Sequence, residues 1–221
     1  IRLVETLAHL PVTVIAMDNV EADDVLAYLA NLSAERGGEA LIMSTDKDFL
    51  QLVTGQIKVF NPVRKIVYDM DKIVEEYGIH PSNFIIYRSM DGDTSDNIPG
   101  VKGIGPATLI KHFPELANAD IIPWEHIYAV AEGKENVACK NILANKPIIE
   151  RNMSLMRLDE QHMSGGIKLK VLNQFDGPIN HLNKLALTQL FVRDRLIGAF
   201  ANLDEWVMTT FGPLNRFTTK G

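Results

Sequence analysis

One cysteine, Cys139, stands in 221 residues. No internal disulfide can form, which excludes a disulfide-stapled scaffold and suits a reducing cytoplasm. The thiol reads as a small buried apolar group. No apolar run nears the roughly 20 residues of a membrane-spanning helix, and no targeting segment is visible. A cytoplasmic protein with no membrane partner is therefore expected. The six histidines lack the spacing of a metal site. Neither a Ser–His–Asp nor a Cys–His constellation occurs, and there are no repeats or low-complexity tracts. Positive charge is short as well: 22 lysines and arginines face 28 acidic residues, a formal net charge of −6. Taken alone, that disfavours a polyanionic partner. Hydrophobic residues are plentiful at 46%, enough for the core of one or two compact domains.

The acidic excess is clustered. Asp91, Asp93 and Asp96 are followed at once by Gly100, Gly103 and Gly105 and then by a basic amphipathic helix. Carboxylates at this spacing can hold hard cations through oxygen. A glycine turn opening onto a helix can offer backbone N–H groups to phosphate. Metal ions beside a bound phosphodiester, and hence nuclease chemistry, follow from the pair. The glycine order is G-x-x-G-x-G with no strand before it, so dinucleotide binding is rejected. Two more acidic blocks lie upstream, Glu21-Ala22-Asp23-Asp24 and Asp46-Lys47-Asp48. Setting aside the seven carboxylates Glu21, Asp23, Asp24, Asp46, Asp48, Asp93 and Asp96 leaves 21 acidic residues against 22 basic ones. The remaining surface is near neutral, so local basic patches can still meet phosphates.

Periodicity places these blocks. Residues 1–9 read as the tail of a helix and 12–16 as a buried strand. Asn19 is the candidate N-cap of a helix with Val25, Leu29 and Leu32 on its apolar stripe, ending near Gly37. Glu21, Asp23 and Asp24 fall in its first turn, where acids also complement the helix dipole. Glu21 and Asp24 share a face, with Asp23 turned about 100° away. Residues 40–45 read as a strand apolar on both faces, with Asp46 and Asp48 at its C-terminal end, where open α/β sheets place ligands. An ordinary Asp cap there is the plainer reading. A hairpin follows, 57–60 and 66–68, with Arg64 and Lys65 at its tip as phosphate contacts or a solvated turn. Helices are expected over 71–77, from Pro81 or Ser82 toward Met90, and over 106–113, 124–131, 136–143, 148–158 and 185–197. A loose polar end is expected over 215–221.

The block Gly92-Asp93-Thr94-Ser95-Asp96-Asn97-Ile98-Pro99-Gly100 with Val101-Lys102-Gly103-Ile104-Gly105 resembles the 5′-nuclease family. That family includes flap endonucleases, phage 5′-exonucleases and the 5′-nuclease domain of bacterial DNA polymerase I. Glu21-Ala22-Asp23-Asp24 and Ser44-Thr45-Asp46-Lys47-Asp48-Phe49 match in order, so the resemblance covers about residues 14–113. It implies an α/β, parallel-sheet, PIN-like nuclease core over 1–80. A helix–three-turn–helix module (about 81–113) and C-terminal helices would follow over 81–221. Two Mg²⁺ ions, replaceable by Mn²⁺, would sit roughly 3.5–4 Å apart, one activating water and one stabilising the leaving oxygen. Glu21, Asp23 and Asp24 would hold the first; Asp46, Asp48, Asp93 and Asp96 the second. Gly100, Lys102, Gly103, Gly105, Thr108 and Lys111 would contact DNA, and the carbonyls of Val101 and Ile104 would bind K⁺. The expected substrate is DNA with a 5′ end, flap or branch, cut in replication or repair by a monomer. The family begins with a strand bearing a metal-binding Asp, then a helical arch with basic residues and another acidic ligand; either these lie ahead of Ile1 or the chain is not a complete enzyme. A non-catalytic duplex-DNA-binding module and a PIN-type ribonuclease are the rival readings.

Overall fold

The computed structural model describes residues 2–159 and 163–218. In chain order come α1 (Arg2–Leu7), α2 (Ala22–Glu35), β1 (Ala40–Met43), a 3₁₀ turn (Lys47–Leu52), β2 (Ile57–Asn61), β3 (Ile66–Tyr68) and α3 (Met70–Tyr77). A 3₁₀ turn (Pro81–Asn83) then leads into α4 (Phe84–Asp91), α5 (Pro106–His112), α6 (Trp124–Glu132), α7 (Val137–Ala144) and α8 (Lys146–Met156). The helices α9 (Gly165–Phe175), α10 (Lys184–Arg193) and α11 (Leu203–Thr210) complete the order. Two compact units result: Ile1–Val20 with Met163–Gly221, and Glu21–His162. The expected boundary at residue 80 lies inside the second.

In the Glu21–His162 unit, β1 pairs parallel with β2, and β2 antiparallel with β3. The expected parallel sheet is thus a small mixed one. The four residues between β2 and β3 can only fold back as a hairpin, since a parallel crossover needs a dozen or more. β1 was expected to be covered on both faces, and it is not. Ile42 is buried at 5% exposure, but Leu41 and Met43 are 60% and 67% exposed. Helix α2 packs on the Ile42 side through Ala27 and Ala30, whose small side chains allow a close approach. That helix is capped at Glu21, not at the expected Asn19, which adopts a left-handed conformation two residues earlier (φ 58°). Its buried positions are Val25, Ala27, Tyr28 and Ala30.

The sheet residues Ile57, Val59 and Tyr68 share one core with Phe49 and Leu50, with Phe84, Ile86, Tyr87 and Met90 of α4, and with Leu109 of α5. The core runs on through Ile127, Ile142 and Ile149 of α6, α7 and α8. Two buried asparagines link segments inside it. Asn83 donates to the carbonyls of Asn118 (3.0 Å) and Asp120 (2.9 Å) and accepts from the Ile122 amide. Asn152 donates to those of Ser89 (3.0 Å) and Pro99 (2.8 Å), fastening α8 to α4 and to the loop beyond it. At the hairpin tip Arg64 is committed within the protein, to Glu76 at 2.7 Å and to the Tyr68 hydroxyl.

In the other unit, residues 12–16 form no strand, and Val14 is 39% exposed. A strand exists through its ladder, and among the described residues none pairs with this segment. Leu10, Leu187, Leu203 and Val207 form its core. Helix α10 stops at Arg193, short of the expected 197, because Arg195 turns left-handed (φ 58°). Of the expected loose end, Gly212–Phe217 is a 3₁₀ turn, and residues 219–221 lie outside the described residues. Among the described residues no helix is long and apolar enough to cross a membrane.

Candidate active site

All seven carboxylates fall in the Glu21–His162 unit. Glu21 holds the N-cap position of α2 without a capping side-chain bond, and Asp23 and Asp24 occupy its first turn. Asp46 caps the 3₁₀ turn after β1, its Oδ1 accepting the Asp48 amide at 2.8 Å. The cap is real, as the plainer reading held, and it also fixes Asp46 at the strand's C-terminal end. Asp93 and Asp96 lie in the loop after α4, closed by a bridge between Asp93 and Ile98. Asp93 Oδ1 accepts from the Ser95 amide at 2.8 Å and from the Ser95 hydroxyl.

Electrostatics ties the three blocks together. The Asp23 carboxyl is pushed up by burial and then by the like charges of Asp46, Glu21, Asp24 and Asp96. Asp48 is pushed up to about 6, chiefly by burial, with Asp46 and Asp93 adding to it and Arg88 pulling it back. Asp93 is held low, first by the Ser95 hydroxyl and then by the Ser95 amide and Arg88. A cavity of about 490 Å³ is lined by Thr45, Asp46, Lys47, Arg88 and residues 91–95. Gly100 and the residues after it are not part of its lining.

Beneath the cavity lies Arg88, 2% exposed. Its Nε meets Asp48 Oδ1 at 2.5 Å and its Nη2 meets Asp93 Oδ2 at 2.8 Å. Its Nη1 bonds Asp91 Oδ2 at 3.1 Å and the Gly92 carbonyl at 3.0 Å. Asp91 also accepts from the Tyr87 hydroxyl at 2.9 Å. Sequence reasoning missed Arg88 and the Arg88 contact of Asp91. The available signal was a lone arginine in a mostly apolar helix, α4.

Among the described residues, no three acidic or histidine side chains close on a point tightly enough to clasp an ion directly. The donor set still suits Mg²⁺, which keeps several waters and takes few carboxylates directly. The crowding of like charge on Asp23 is what a hard cation would relieve.

The glycine loop is built from the same core. Val101 and Ile104 bury their side chains in it, and the Val101 amide bonds the Met90 carbonyl at 2.7 Å. Of the carbonyls expected to bind K⁺, that of Val101 accepts the Ile104 amide at 3.2 Å. Gly92 and Gly100 are pressed together: a Cβ on Gly92 (φ 73°) would lie 2.5 Å from the Gly100 amide, and one on Gly100 2.0 Å from the Asp91 carbonyl. Gly105 differs, with extended backbone (φ −129°) and nothing within 4 Å of where a Cβ would stand. An ordinary L-residue fits this conformation, so a larger side chain there would not distort the turn. Lys102 is exposed, its carbonyl held by Asn141 of α7 at 2.9 Å. Thr108 lies mid-α5 and Lys111 in its last turn.

Residues 2–78 match the family model of the 5′-3′ exonuclease N-terminal resolvase-like domain. A 5′-3′ exonuclease of Aquifex aeolicus is 35% identical over 127 residues, 57% of this chain and 43% of that protein. The flap endonuclease Xni of Shewanella piezotolerans is 36% identical over 141 residues, 62% of this chain and 52% of that protein. The chain thus spans about half the length of these relatives. Among solved structures, the bacteriophage T5 D15 flap endonuclease, in a pseudo-enzyme–product complex with DNA and metal ions, shares the fold. Its TM-score is 0.57 at 21% identity, over 84% of this chain and 62% of that one. The resemblance to the 5′-nuclease family is therefore borne out, with residues 2–78, which include the first two acidic blocks, matching the 5′-3′ exonuclease resolvase-like domain.

Proposed function

We propose that the chain carries the carboxylate cluster and DNA-gripping loop of a metal-dependent 5′-nuclease. It would hydrolyse phosphodiesters at or near the 5′ end of DNA, at free ends, flaps or branches, in replication or repair. The observation that carries this reading is that Asp46 and Asp93 line one cavity with Arg88, while the like charges of Asp46, Glu21, Asp24 and Asp96 bear on Asp23. The names of the Aquifex and Shewanella relatives, and the DNA and metal ions in the T5 complex, support it.

Glu21, Asp23 and Asp24 would hold one Mg²⁺ or Mn²⁺; Asp46, Asp48, Asp93 and Asp96 would hold a second. Bound there, such ions supply Lewis acidity toward water and toward the leaving oxygen. The chain's own part is to orient. Asp46 and Asp93 are fixed by the amides they cap, and the shared core sets α4 against the 3₁₀ turn after β1. Residues 81–113 act as a helix–three-turn–helix module. Lys102, Lys111 and Thr108 meet the phosphate backbone, with Gly103 and Gly105 allowing close approach and the Val101 and Ile104 carbonyls offered to K⁺. The protein acts as a monomer.

Incubation with 5′-labelled flap DNA and a matched RNA duplex tests this. DNA should be cut with Mg²⁺ or Mn²⁺ and spared with EDTA. Cleavage undiminished by chelator overturns the metal-ion reading. Cleavage of RNA in preference to DNA makes the protein a PIN-type ribonuclease, and binding without cleavage makes it a clamp.

A further inference from the structure

Arg88 is buried among three carboxylates from two parts of the chain, and four of its donors are taken. Stability gives little reason for this. Well-packed hydrophobic residues often serve as well as a buried ionic cluster, and α4 already buries Phe84, Ile86, Tyr87 and Met90. What only a guanidinium supplies is a planar fork that fixes several oxygens at once. One edge takes an oxygen of Asp48, from the turn after β1; another takes an oxygen of Asp93, from the loop after α4. Asp91 and the Gly92 carbonyl hold the fork from its own chain segment, with Asp91 itself bonded to Tyr87.

We infer that Arg88 is a positioning residue: it sets the spacing and orientation of Asp48 and Asp93, so that the strand-end acids and the loop acids face one cation together. This rests on the metal-ion reading of the site. Partners of this kind are structural in contact but felt at the ion, and losing them costs about 10–100-fold in metal affinity or activity. The lysine in Arg88→Lys keeps the charge and loses the fork. It can reach one carboxylate and leaves the other to turn.

The test is Mn²⁺ titration of the DNA-free 221-residue chain, read by electron paramagnetic resonance of the free ion. Salt is held near 0.2 M to screen long-range charge. Arg88→Lys is expected to bind Mn²⁺ about 10–100-fold more weakly than the wild type. Its single-turnover cleavage should fall, while DNA affinity without divalent ion stays within about twofold, because the charge is unchanged. Thermal melting reports the fold separately. A folded Arg88→Lys that binds Mn²⁺ as the wild type does overturns the inference and leaves the nuclease reading standing. Failure of the wild type to bind Mn²⁺ saturably overturns both. If the lysine variant does not fold, Asp91→Asn removes one anchor of the fork and leaves Arg88 and the seven acids in place. Weaker Mn²⁺ binding is again expected, by a smaller factor, and unchanged binding overturns the inference.

Discussion

Asp46 and Asp93 each do two things at once. Each accepts a backbone amide two residues on, at 2.8 Å, as an ordinary capping aspartate does. Each also stands among other carboxylates. Capping and ion holding are compatible here, because the cap is what keeps the remaining lone pairs aimed. Asp48 has a different setting: burial lifts it to about 6 although Arg88 opposes the shift. A carboxyl raised in this way carries its proton below that value and is free of it above, and Asp23 is shifted in the same direction. A divalent ion bound as proposed would compete with protons for the same oxygens. Mn²⁺ affinity is expected to fall as pH drops through about 6, and the acid limb of cleavage should move to lower pH as Mg²⁺ is raised. A pH–rate profile at two Mg²⁺ concentrations checks this; superimposable acid limbs contradict it. Two glycines of the loop separate fold from ligand approach. Gly100→Ala puts a methyl 2.0 Å from the Asp91 carbonyl, and overpacking of this kind costs about 1–3 kcal/mol, readable by denaturant unfolding. Gly105→Val meets open space, so it should melt like the wild type yet bind flap DNA more weakly. Equal DNA affinity would make the loop a plain helix connection.

At the scale of elements, the hairpin and the helices α3 to α8 were legible, because each has its own stop signals and apolar period. The segment 12–16 was not, since a strand needs a partner and local sequence does not supply one. Helix α9 went unseen because it opens on Gly165-Gly166, among the poorest helix formers. α11 (Leu203–Thr210) also went unread; Asn202 caps it, accepting the Glu205 amide at 3.1 Å. In the candidate site the acids could be read from residue type and spacing. Arg88 showed only as a lone arginine in α4, because which side chain of a helix turns inward toward which loop is a tertiary fact. Asn152 likewise looks like one more polar residue in α8. Buried, it ties Ser89 of α4 to Pro99 of the loop. Asn152→Ala leaves two carbonyls without that donor, at about 1–3 kcal/mol for each buried group left unpaired. Hydrogen exchange at the Val101 amide, which bonds Met90 at 2.7 Å, should speed up more than exchange at β2. Equal acceleration at both would mean that Asn152 supports the whole unit and not the loop.

Over the whole molecule, the net charge of −6 misleads unless its placement is considered. A quarter of the 28 acidic residues are the seven of the candidate site. Elsewhere the balance is near neutral, and Lys102 and Lys111 lie on the loop and α5. Replacing either with alanine should weaken binding to all DNA sequences alike and lower the salt slope by about 0.9. The central claim is that the gathered acids serve chemistry and not architecture, and Asp96 separates the two most cleanly. Among the described residues it makes no hydrogen bond or ion pair, yet its charge reaches Asp23. The decisive measurement is single-turnover cleavage of a 5′-labelled flap DNA by Asp96→Asn, beside its thermal melt and its metal-free DNA affinity. Cleavage should fall at least about 100-fold, equivalent to about 2.7 kcal/mol, with melting unchanged and affinity level or higher. Cleavage at the wild-type rate by a folded Asp96→Asn would contradict the claim.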